Sequence, residues 1–156
     1  MTATASPKVI LWSDMLLLGH ESMDAMHREF VDVVGCLQAA NNEMLTKRLS
    51  DVMAHLEQHF QEEETWMRST GYPAIECHVA EHAAVLASGR EVTIALANGN
   101  TALCRRYADE LANWFPGHAD YLDAPLAQWL THKRFGAVPI VFKREAIQAG
   151  FERPLV

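Results

Sequence analysis

The chain has 156 residues, 49% of them hydrophobic, and carries 13 basic against 20 acidic side chains for a formal net charge of −7. That length suits one domain with a real core, and the acidic balance argues against a nucleic-acid surface. The apolar run at 15–18 is bounded by Asp14, His20 and Glu21, too short for a signal-peptide core or for a membrane span of about 20 residues.

A soluble, cytoplasmic protein with no membrane partner is therefore expected. Residues 131–156 hold five basic and two acidic side chains, which leaves eight basic and eighteen acidic in 1–130. The tail is +3 and the body −10, marking the tail as a separate piece. The cysteines Cys36, Cys77 and Cys104 are odd in number and form no CxxC pair. They read as small buried thiols in a reducing compartment rather than as a disulfide framework or a zinc knuckle. Histidine is the compositional oddity: of eight, seven lie between His20 and His118.

Helical periodicity runs through the body, while strand signals are nearly absent before residue 137. Met23, His27, Phe30, Val34 and Leu37 predict a helix over 20–39. Leu49, Val52, Leu56, His59, Glu63 and Met67 predict a second over 46–69. Gly71 is placed to close it in a left-handed turn, and Pro73 suits the first turn of the next helix. Ile75, His78, His82, Val85 and Val92 predict a third over 74–97. Asn98-Gly99-Asn100 is a stop-and-start signal, with Thr101 as the expected cap of the next helix. Leu103, Tyr107, Leu111, Phe115, His118 and Leu122 carry a fourth helix to about 131. Short connections between long helices imply antiparallel neighbours. The expected fold is all-α, an up-down-up-down four-helix bundle with an N-terminal arm and a short C-terminal extension. It forms a single domain over 1–156 with a core at about 20–131. In the extension, 138–142 reads as a short strand or a segment against the bundle, and 144–151 as one or two helical turns.

Histidines and a glutamate occupy the seam where apolar residues are expected, and burying them is costly unless something satisfies them. Residues four apart share a helix face, so His59 with Glu63, and His78 with His82, each point to one place. His27 lies on the first seam, His118 on the fourth, and Asp123 follows five residues later. Five imidazoles and two carboxylates thus converge from four helices. Mixed nitrogen and oxygen donors suit iron better than calcium or magnesium. Two six-coordinate metals need twelve positions; five histidines, two bridging carboxylates and one bridging oxo or hydroxo group fill all but one. A single open position suits a small gas molecule.

These residues resemble the hemerythrin family, specifically its bacterial members. The stretch LWSDMLLLGHESMDAMHREF is similar to the family's tryptophan arm leading into an Asp-x-x-His helix. HFQEEETWM, GYPAIECHVAEH and WFPGHADYLD match its three later motifs, and the resemblance covers residues 11–130. It implies that His78, His82 and His118 bind one iron and that His27 and His59 bind the other. Glu63 and Asp123 would bridge the two. It further implies reversible dioxygen binding without turnover, so no enzyme, with dioxygen as ligand of an oxo- or hydroxo-bridged diiron centre in a monomer or small homo-oligomer.

Met26 departs from the family's usual glutamine, His20 from an aliphatic residue and His55 from an aromatic one. Both extra histidines read as hydrogen-bonded residues at bundle ends rather than ligands, and His132 as solvated. Trp66 and Trp114 are candidates to line a gas pocket. Of 62–64, only Glu63 is drawn inward by its spacing from His59.

Helix-interior prolines at Pro116 and Pro125 demand an irregular fourth helix. His118 and Asp123, five apart, would point about 140° away from each other on a regular helix. A wide π-type turn or kink between 116 and 125 is therefore expected.

Rival readings come from the same residues. HVAEH matches the His-x-x-Glu-His signature of a zinc protease, with Glu81 as general base, but leaves five of the seven candidates unexplained. On the diiron reading Glu81 is only a spacer. A ferritin-like oxidase wants Glu-x-x-His on two helices, which the chain lacks. A diiron sensor with the tail as output, or peroxidase-like or nitric-oxide chemistry at the same centre, keeps the ligands and changes the use.

Overall fold

The stripes at three- and four-residue spacing fold as the helices they imply. The computed structural model describes residues 8–135, and every regular element among them is helical. Helix α1 spans Glu21–Ala39, α2 Leu45–Thr70, α3 Ile75–Ala97 and α4 Thr101–His118. A π-helical turn, Ala119–Asp123, carries α4 into α5, Ala124–Phe135. Packing of α1 on α2, α2 on α3, α3 on α4 and α4 back on α1 closes the ring of an up-down-up-down four-helix bundle. No described helix is long and apolar enough to cross a membrane. The elements expected at 138–142 and 144–151 lie outside the described residues.

The ends are set by local chemistry. Leu18 and Gly19 donate their backbone N–H groups to the buried carboxylate of Asp24, at 2.7 and 3.1 Å, which fastens the arm across the start of α1. His20 caps α1, its Nδ1 accepting from the Met23 N–H at 3.3 Å. Gly71, at φ 66°, closes α2 in the left-handed turn that its missing Cβ permits. Two local expectations shift. Asn100, not Thr101, caps α4, because its side-chain oxygen reaches the Leu103 N–H at 3.0 Å and Thr101 is already helical. Pro73 sits in the turn ahead of α3 rather than in its first turn.

Apolar packing is divided into two clusters. The larger includes Phe30, Val34, Leu37, Leu49, Leu56, Leu111 and Phe115. The smaller holds Met23, Met67, Tyr72, Leu126 and Ala127. Each of the four seams passes from one cluster to the other through a polar layer: His27 on α1, Glu63 on α2, His78 and His82 on α3, and His118 at the end of α4 with Asp123 in the turn that follows. A water-poor layer so placed strengthens any electrostatic interaction within it.

Candidate metal centre

All seven predicted donors meet in that layer, each of them buried. Both carboxylates divide their oxygens between two groups of rings. Glu63 Oε1 lies 2.9 Å from His59 Nε2 and 3.9 Å from His27 Nε2. Its Oε2 is 3.3 Å from Nε2 of both His78 and His82. Asp123 repeats the division: Oδ2 is 3.0 Å from His27 Nε2, while Oδ1 is 3.0 Å from His78 Nε2 and 3.1 Å from His118 Nε2. The Nε2 atoms of His82 and His118 are 3.1 Å apart. Two groups of donor atoms result, each with all members within 4.8 Å: Glu63, His78, His82, His118 and Asp123, and His27, His59 and Glu63.

The π-helical turn brings Asp123 into the layer. The Ala124 N–H bonds to the Ala119 carbonyl, five residues back, and this wider turn carries Asp123 inward beneath His118. Pro125 has no N–H to lose where the ladder is offset. The irregularity expected between 116 and 125 is present, with both side chains inward.

Apart from the His59–Glu63 and His82–His118 pairs, these contacts are close but poorly aligned for hydrogen bonding. His27 Nε2, His78 Nε2, Glu63 Oε2 and both Asp123 oxygens are buried with no hydrogen-bond partner. Buried polar atoms are rarely left so. Lone pairs aimed at common points are what a cation would satisfy, and a set of five imidazoles and two carboxylates fits iron. The charges lean the same way. Burial and mutual repulsion oppose ionisation of Glu63, yet the rings of His59, His78 and His82 hold its carboxyl below the usual range. Burial also opposes ionisation of Asp123, and His118, His27 and His78 outweigh it. For His78, burial disfavours the charged ring, but Asp123 and Glu63 beside it hold its pKa up at about 9.

Similarity to known proteins agrees with a cation-binding fold. The family model for the hemerythrin HHE cation binding domain matches residues 18–130. A bacteriohemerythrin of Ralstonia nicotianae is 38% identical over 125 residues, 80% of this chain and 91% of that protein. The chain belongs to the hemerythrin family. No solved structure matched it. As a hemerythrin-family domain, it carries within the bundle a buried histidine and carboxylate cluster that fits a metal site.

Against that family background the unusual residues separate by position. His20 is a cap and packs on Trp66, ring centroids 5.0 Å apart. His55 is not at a bundle end. Its side chain is 9% exposed, and it lies against His59 and Phe30. Burial and the neighbouring His59 lower its pKa to about 4. It joins neither donor group. His132 is exposed, as expected. Trp114 packs on His118 at 4.3 Å, tilted by 31°, and neighbours Phe30 and Phe60, whereas Trp66 packs at the other end of the layer. Only Cys104 is a buried thiol; Cys36 and Cys77 are exposed, on the outward faces of α1 and α3.

Reading Glu81 as a mere spacer missed a contact. Its Oε2 lies 2.6 Å from His118 Nδ1. The signal was weak, since a residue one place before a ligand faces a helix flank and its partner depends on how α3 and α4 pack.

Proposed function

We propose that the chain holds two iron ions and binds dioxygen reversibly, as a carrier, store or sensor rather than an enzyme. One observation carries the two-metal reading: Glu63 and Asp123 each turn one oxygen toward His27 and His59 or His27 alone, and the other toward the three-histidine group. A single ion gives no reason for that division in both carboxylates. His78, His82 and His118 would hold one iron, His27 and His59 the other, and Glu63 and Asp123 would bridge. Two ferrous ions would supply the two electrons that dioxygen takes up and returns.

The two-histidine side has one imidazole fewer, which leaves a small ligand its place there. Aromatic rings close that side off. Phe115 meets His27 edge-on at 5.0 Å and packs on Phe30 at 4.4 Å, and Phe60 lies tilted against His59 at 5.6 Å. An apolar wall keeps water from a bound ligand and favours a small uncharged molecule.

The zinc-protease reading loses its base, because Glu81 is engaged with the outer nitrogen of His118. A carboxylate-rich oxidase is a poor match for five imidazoles. The test is the visible spectrum of anaerobically iron-loaded protein, taken before and after air and again after deoxygenation. A charge-transfer band that comes and goes with dioxygen is expected. A band that forms once and does not reverse, with iron left oxidised, would exclude a reversible binder.

A further inference from the structure

Glu81 directly precedes His82, so on α3 it sits beside the seam rather than in it. It nonetheless reaches across to α4, where its Oε2 lies 2.6 Å from Nδ1 of His118. That is within the range of charge-assisted hydrogen bonds. We propose that Glu81 is a positioning residue of the metal centre, which accepts the Nδ1 proton of His118 and so commits Nε2 of that ring to the metal. The proposal rests on the two-iron reading.

The geometry assigns His118 a distinct place among the five rings. The Nδ1 atoms of His27, His59 and His78 are buried without a partner. Among the described residues, His118 is the ligand candidate with a carboxylate on its outer nitrogen. Its inner nitrogen lies 3.1 Å from both Asp123 Oδ1 and His82 Nε2, among the donors of the three-histidine group. Trp114 lies against the ring face at 4.3 Å and limits its tilt. Glu81 then sets the remaining freedom, rotation about the ring's own axis, together with the tautomer.

Such a clamp has reason to fall here. His118 is the last residue of α4, and the π-helical turn begins at the next residue. Its backbone is thus where the regular ladder gives way, and a link to the unbroken α3 fixes the ring independently of that turn. Glu81 has no competing ion pair: no described lysine or arginine lies within salt-bridge distance of it. Its side chain is 39% exposed, opening into a groove of about 520 Å³ between α3 and α4 that Tyr107, Arg106 and Glu110 also line. Replacing it therefore leaves no void in either apolar cluster, and the variants should fold.

The test compares wild type, E81L, E81Q and, as a control in the same groove, E110L. Each is loaded anaerobically with ferrous iron, and release to an excess of ferrous chelator is timed. Metal-loaded E81L should release iron roughly 10- to 100-fold faster than wild type, the usual effect of losing an outer partner. E81Q should fall between them, because its amide oxygen still accepts the hydrogen bond but without the charge. The iron-shifted, slowly exchanging Nδ1–H proton resonance of His118 should broaden or move in E81L and persist in E81Q. Equal acceleration by E110L would reduce the effect to net charge and overturn the proposal. Normal loading of all four proteins with equal release rates would overturn it alone. A wild-type chain that takes up no iron would overturn the metal reading with it.

Discussion

Loading the chain with iron should raise its melting temperature by roughly 10 °C or more. The metal-free layer leaves His27 Nε2, His78 Nε2, Glu63 Oε2 and both Asp123 oxygens buried without hydrogen bonds. Each such group costs on the order of 1–3 kcal/mol. Protonated histidines beside the carboxylates offset part of this, as the raised pKa of His78 indicates, but they bring their own desolvation. A ligand that binds only the folded state at a thousandfold excess over its dissociation constant adds about 4 kcal/mol. Two sites in one layer add more, and a domain of this size moves by about 2–4 °C per kcal/mol or somewhat more. Calorimetry of chelator-stripped and iron-loaded protein measures the difference directly. Superimposable curves would mean that the seven side chains tolerate the layer without a cation.

The four helices were legible because burial imposes a period, and here the polar ligands share that period with the apolar residues around them. His59 with Glu63, and His78 with His82, could be paired from spacing alone. Asp123 could not: five residues from His118, it required a break in regular geometry. The sequence carried the means for that break in Pro125, which has no N–H to place in the ladder, and the observed turn closes at Ala124. What spacing cannot report is what one helix flank meets on another. Glu81 looked like filler between two ligands because its partner lies on α4. His55 looked like a bundle-end residue because the depth of a side chain at the α1–α2 junction depends on neighbours such as Phe30. Asn100 and Thr101 are both good caps, and the choice between them depends on which residue first enters the helix.

Replacing Glu63 with Ala should reduce bound iron from two per chain to about one, and the iron that leaves should be the one beside His27 and His59. The argument is a count of what remains. Without Glu63, the three-histidine group keeps His78, His82, His118 and Asp123 Oδ1. The other group keeps only His27, His59 and Asp123 Oδ2, with His59 meeting no carboxylate oxygen at all. Four donors still hold an iron; three, one of them without its carboxylate partner, hold it poorly. The cavity left by the side chain also lies in a buried layer, where water enters and weakens each remaining contact. Asp123→Ala should lower the count as well, since it strips one oxygen from each group. The double variant should bind none. Glu62→Ala, one residue away but partly exposed, should keep both irons and serves as the control for charge. Metal analysis after desalting reads the result. Two irons retained in Glu63→Ala would remove its bridging role, and one zinc per wild-type chain in place of two irons would remove the diiron centre itself.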